Sequence, residues 1–159
     1  MNSFIKTIAK GTLVAAVLTA SSYTVAADMS AKQAKSAIEF RQSIFQLVKS
    51  NISPLGAMAK GRIPMNEAVI ETNALRMEQL SLMITDYFKA DTRGAGVKSG
   101  SLDKIWEDQA GFAQKAQDFT AASAALLATV KAQDTANYKS AIGGVGKTCK
   151  ACHDDYKAD

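Results

Sequence analysis

The sequence predicts an all-α fold, an antiparallel up-down-up-down four-helix bundle, on three observations. Proline occurs only at Pro54 and Pro64, and glycine gathers mainly between stretches of periodic apolar residues. No segment alternates apolar and polar residues long enough to read as a half-buried strand. Four amphipathic stretches joined by mostly short links bury their apolar faces only against one another.

Residues 1–27 stand apart from the bundle. MNSFIKTIAK carries Lys6 and Lys10 without an acid, GTLVAAVLTA is apolar, and SSYTVAA ends in small residues. That is the layout of a secretory signal peptide, cleaved after Ala27. An uncleaved membrane anchor is the rival reading, but the apolar part falls short of the roughly 20 residues a spanning helix needs. The exported chain, residues 28–159, suits one domain with one core. Losing the leader takes two of the 19 cations and none of the 15 acids, leaving 17 against 15. So small an excess, with no basic run, argues against nucleic acid as a partner. No second segment of spanning length follows, which argues against a membrane.

The first helix is expected over about 30–51, with Ser30 as N-cap and apolar residues at Ala34, Ala37, Ile38, Phe45 and Val48; Ser53-Pro54-Leu55-Gly56 should end or kink it. The second runs over about 66–90, capped by Asn66, with a stripe through Ile70, Met77, Leu80, Ile84, Tyr87 and Phe88. DTRGAGVKSGS then makes a loop with no regular structure. The third, about 102–132, has the clearest pattern: Ile105, Phe112, Phe119 and Leu126 are seven apart. Gln109, Ala116, Ser123 and Val130 form the out-of-phase set of an a/d seam. Asp134 can cap a fourth helix in which Tyr138, Ile142, Val145, Cys149, Cys152 and Tyr156 step by four and three. IGGVGK is poor helix sequence, at roughly 1 kcal/mol per glycine against alanine. Its glycines read as room for something bulky beside the backbone, or as a break between two short helices.

CKACHDDYKAD closes the chain and holds both cysteines and the single histidine. A disulfide between cysteines three apart would constrain little of the unfolded chain. The helical rhythm puts Cys149 and Cys152 on the inward face one turn apart, with His153 one step round. A zinc site wants about four ligands and finds three soft ones. A thioredoxin-like dithiol would follow a strand. The reading that fits most observations is C-x-x-C-H as a covalent haem site: two thiols form thioethers with the vinyl groups on one porphyrin edge, and His153 ligates the iron.

The terminal CKACHDDYK behind a four-helix pattern resembles the class II c-type cytochromes, most of all cytochrome c′, over essentially the whole exported chain. FRQSIFQLVKSN resembles that family's first-helix segment, and IWEDQAGF the start of its third helix. The resemblance implies one covalent haem c on Cys149 and Cys152, with His153 as proximal iron ligand. It implies Arg41 and Gln42 near the propionates, where a guanidinium can grip a carboxylate by two bonds. Trp106 marks a recurrent tryptophan, read equally as haem contact or as core filler with its N–H near solvent. Lys157 stands where the family often has arginine, over the imidazole side of the haem; lysine brings a point charge in place of a planar fork. In low-spin relatives a methionine four residues after the first-helix arginine ligates the iron. Here that position is Phe45, which has no lone pair and becomes a lid over the iron.

The functional expectation is a periplasmic monohaem cytochrome with five-coordinate, high-spin iron that binds nitric oxide and carbon monoxide, transfers electrons, or both. The alternative is a six-coordinate, low-spin carrier with a methionine ligand, for which Met58, Met65, Met77 and Met83 are candidates. A second histidine for acid–base work is absent, so no enzyme is expected. The resemblance also implies a homodimer through the first two helices and a redox partner of unknown identity.

Overall fold

The computed structural model describes residues 29–158, so the leader read at residues 1–27 lies outside the described residues. Four long helices carry the architecture: α1 (Ala31–Ala59), α2 (Glu67–Tyr87), α4 (Gln109–Lys131) and α5 (Tyr138–Tyr156), with a one-turn α3 (Lys104–Glu107) leading into α4. Among the described residues there is no strand, only an isolated bridge between Ser101 and Lys157. Asn73 on α2 donates to the Asn51 carbonyl at 3.1 Å and Arg41 to the Tyr87 carbonyl at 2.8 Å. Numbers rise along α1 as they fall along α2, the signature of an antiparallel pair. Around the bundle α1 touches α2, α2 touches α4, α4 touches α5, and α5 returns to α1.

Ser30 begins α1 with a capping box: its hydroxyl accepts from the Gln33 N–H, and Gln33 accepts from the Ser30 N–H. The helix then runs through Pro54 to Ala59, beyond the stop expected at that proline. A mid-helix proline costs roughly 3 kcal/mol. Continuing the helix seats Leu55 and Met58 in the core at 0% and 4% exposure, and full burial of each such side chain returns roughly 1.5–3 kcal/mol. The core therefore outweighs the local rule. What ends α1 is Gly61, at φ +67°. Its N–H bonds to the Met58 carbonyl, and the Arg62 N–H reaches back to Ala57 at 2.9 Å. That is the paired bonding of a left-handed helix stop.

Asn66 caps α2 as expected, accepting from the Val69 N–H at 3.1 Å. Asp108 interrupts the long third helix expected from residue 102, separating α3 from α4. Its carboxylate accepts from the Gly111 N–H at 3.0 Å, making it the N-cap of α4. The seam survives the interruption, because Ile105, Phe112, Phe119 and Leu126 are all buried, as are Ala116, Ser123 and Val130. Gln109, now the first residue of α4, is exposed.

A 3-10 turn over Thr135–Asn137 precedes α5, and Asp134 accepts from the Asn137 side chain instead of capping a helix. α5 itself is unbroken across IGGVGK, which removes the reading of two short helices. Nothing in the chain crowds its glycines: a Cβ at Gly143, Gly144 or Gly146 would meet no atom within 4 Å. Gly146 is exposed, so no close approach demands its missing side chain. Gly146→Ala should raise the unfolding free energy by about 1 kcal/mol, the helix-propensity difference, as read from urea unfolding. A loss of stability would show that a bulky group does occupy the space beside that backbone.

Candidate functional site

α5 presents Cys149 and Cys152 towards α1 and α4 as free, half-buried thiols. Burial pushes both thiols up from their ordinary value, and the nearby Lys115 ammonium opposes the rise at Cys152. The next residue, His153, is exposed at the rim. These three side chains open onto a cavity of about 460 Å³ between α1 and α5, within the roughly 300–1,000 Å³ in which proteins seat cofactors and ligands. Phe45 of α1, Phe88 just past the end of α2, and Phe112 and Phe119 of α4 make its apolar walls, with Tyr156 at the end of α5. Four basic side chains reach it (Arg41, Lys49, Lys115 and Lys157), and no carboxylate is among the lining residues. A shallower opening, lined by Leu102, His153, Asp154, Lys157 and Ala158, lies on the other side of the histidine.

Phe45 is 37% exposed, its ring 6.2 Å from that of Phe88. Gln42 lines the cavity one turn before Gln46. Lys157 also lines it, its ammonium donating to the Ala158 carbonyl at 2.9 Å. None of the methionines among the described residues is in the lining: Met58 and Met77 are core, while Met65 and Met83 are largely exposed.

Arg41 serves the chain itself. It is 3% exposed and donates from Nε to the Tyr87 carbonyl, from a terminal nitrogen to Thr92 Oγ1 at 3.0 Å, and from the other to the Ala90 carbonyl. These bonds take up carbonyls that the end of α2 would otherwise leave bare, and α2 stops at Tyr87, short of the expected residue 90. Burial pulls the guanidinium below its ordinary pKa while Asp91 pushes it up. The charge also lies over the rings of Phe88 and Trp106, at 4.8 and 5.1 Å. Trp106 stands outside the cavity lining. Its indole N–H donates to the Phe88 carbonyl at 3.0 Å in place of solvent.

A family model described as Cytochrome C′ matches residues 36–157. The chain belongs to the cytochrome c′ family. It is 37% identical to cytochrome c′ of Rubrivivax gelatinosus over 122 residues, 76% of this chain and 93% of that one. Among solved structures, cytochrome c prime from Shewanella frigidimarina superposes with a TM-score of 0.74 at 38% identity, covering 80% of this chain and 98% of that one. A nitric oxide complex of a variant cytochrome c prime from Alcaligenes xylosoxidans gives 0.71 at 32% identity, covering 79% and 96%. Cytochromes c′ are four-helix bundles that bind one covalent haem c.

The residues present fit that group. Haem is a flat apolar body with two carboxylates, and the cavity has aromatic walls, cations without acids, and two unpaired thiols one turn apart with a histidine beside them. Among the described residues no group of three or more His, Cys, Asp or Glu side chains is placed to hold a bare metal ion, as a zinc site would require.

Sequence reasoning did not single out Lys49, Lys115, Phe88, Phe112 or the loop residues Ser99 to Ser101 as part of the site. Phe88 and Phe112 carried the signal of core positions, and they are core on one side and cavity wall on the other. The two lysines and the loop carried no signal, because only the packing of α1 against α5 decides which polar positions border the gap.

Arg41→Leu should lower the unfolding free energy of the haem-loaded protein by about 2–5 kcal/mol, since buried carbonyls lose a charged donor. Lys60→Leu, at an exposed position, should change it by less than about 0.5 kcal/mol. Equal small losses in urea titrations of the two variants would remove Arg41 from this role.

Proposed function

We propose that this is a periplasmic monohaem cytochrome with five-coordinate, high-spin iron, which binds nitric oxide and carbon monoxide, transfers electrons, or does both. The observation that carries the reading is the distal wall. Phe45 sits where a low-spin relative would place its ligating methionine, and none of the methionines among the described residues lines the cavity. Without a sixth side-chain ligand, the iron keeps one position open.

When bound, the haem supplies an iron that accepts a diatomic ligand and exchanges one electron. The chain does the rest. Cys149 and Cys152 would hold the group by thioethers, and His153 would supply an iron-ligating nitrogen. Phe45 would wall the ligand side with carbon, offering no hydrogen-bond donor; dioxygen would therefore be poorly stabilised, while nitric oxide and carbon monoxide need no such donor. Gln42 and Arg41, which line the cavity, would supply donors on the propionate side, and Lys157 would set a cation beside the histidine. Ligand binding and electron exchange are the functions assigned.

Residues 1–27 are proposed to direct export and be removed. No helix among the described residues is long and apolar enough to cross a membrane. A homodimer is supported by an uncovered apolar ridge. Phe40 and Leu47 on α1 and Leu75 and Leu82 on α2, each pair seven apart, are 46–58% exposed. Phe40 meets Tyr87 at 6.1 Å, joining the two helices into one surface. The occupant that fits is the same ridge on a second copy.

Two measurements test these readings. Absorption and resonance Raman spectra of the purified ferrous protein should show high-spin, five-coordinate iron, with colour that survives acid-acetone extraction. Phe45→Ala should speed carbon monoxide association, and Phe45→Met should shift the iron towards six-coordinate low spin. A low-spin spectrum in the unmodified protein would assign the six-coordinate carrier instead. For the dimer, Leu47→Glu with Leu82→Glu should halve the mass seen by sedimentation, and an unchanged mass would remove the ridge as interface.

A further inference from the structure

Tyr156 is the last of the inward-stepping residues on α5, following Cys149 and Cys152 at intervals of three and four, and it borders the cavity with them. It is 4% exposed. Its hydroxyl donates to Asp108 Oδ2 at 2.7 Å, its ring meets Phe112 edge-on at 5.4 Å, and Lys104 lies 5.2 Å from its face. Its carbonyl accepts from the Leu102 N–H at 3.0 Å.

Asp108 is the residue that interrupts the third helix, with φ −129° and ψ 62°. A carboxylate there accepts twice, from the Gly111 N–H and from Tyr156. The arrangement leaves no room for a side chain at Gly111: a Cβ would collide with the Asp108 carboxylate and stand 2.6 Å from the Tyr156 oxygen. Of the nine glycines among the described residues, it alone is crowded. A helix break, a glycine and a buried tyrosine thus converge on one contact. Burial and the Asp108 carboxylate push the phenol up to about 12, so at neutral pH it is a full donor. The bond from Tyr156 holds the carboxyl below the usual carboxylate range.

The contact bears on the histidine through geometry. His153 and Tyr156 are three residues apart, one turn along the same helix. Rotation of α5 about its axis would carry the two thiols, the histidine and the tyrosine together. Asp155 also ties this turn to Lys104 and Lys115, at 3.4 and 3.0 Å, but ion pairs between such exposed side chains hold weakly. In the Asp108–Tyr156 contact the tyrosine side is buried, although the carboxylate it meets is exposed.

We infer that Asp108, Tyr156 and Gly111 form a bracket that fixes the rotation of α5 and so aims His153 at the iron. Tyr156 and Asp108 are positioning residues, and the inference rests on His153 being the proximal ligand. In the haem-loaded protein, Tyr156→Phe and Asp108→Ala should each displace and broaden the iron–histidine stretching band of the ferrous state, and shift the midpoint potential in one common direction. The double variant should add little to either single one, since both break the same contact. Asp108→Asn, which keeps an acceptor for the phenol, should return the band towards its original place. Thr120→Val, which breaks the bond between Thr120 and Ser81 across α4 and α2, should lower the melting temperature without moving the band. If Tyr156→Phe melts earlier with its band unmoved, the bracket is merely structural and the inference falls. An unmodified protein with no iron–histidine band at all overturns the ligation reading, and this inference with it.

Discussion

The cavity exists because α2 and α4 close on each other along their length while α1 and α5 do not. The tight side is closed: Ile70, Ala74 and Met77 on α2 and Ser123 and Leu126 on α4 are each 0% exposed. The opposite side carries Gln42, Phe45 and Gln46 on α1 against Cys149, Cys152 and His153 on α5. In a four-membered ring of helices, strong packing on one edge fixes the positions of the other two helices. What those two then present to each other can be chosen for chemistry in place of packing. The site therefore depends on a contact in which none of its ligands takes part.

That division explains what was legible in the sequence. Seven-residue spacing in α4 and the three-four stepping in α5 are local signals of a buried face, and the buried residues follow them almost position for position. The motif at 149–153 was legible because it is local as well. Helix ends were harder. Pro54 suggested a stop that the core overrode, and Gly61, the actual stop, looked like any loop glycine. Asp108 broke a helix whose apolar spacing gave no warning, since its reason is Tyr156, 48 residues further on. Arg41 carried the same difficulty in another form. Its hydrogen bonds go to two backbone carbonyls and the Thr92 hydroxyl at and beyond the end of a neighbouring helix, partners that no spacing rule encodes.

Arg41 also shows how a buried cation is made tolerable. An unpaired charge in the interior is costly, and solvation has to be replaced by acceptors. Three oxygens and two aromatic faces do so here. The acceptors are two carbonyls and a hydroxyl, not carboxylates, so the guanidinium keeps its positive charge beside the cavity. A guanidinium held in this way is already desolvated and in place, which is where preorganised electrostatics have most effect.

The enclosure of the two thiols has a consequence for how the protein matures. Attack on a disulfide, and most oxidation of cysteine, proceeds through the thiolate. By lifting both groups away from ionisation, the walls of the cavity disfavour the form through which exchange and bridging proceed. A chain that has folded before its cofactor arrives would keep its attachment points in the reduced form that thioether formation consumes. The pocket acts, in that interval, as a protecting group for its own sulfurs.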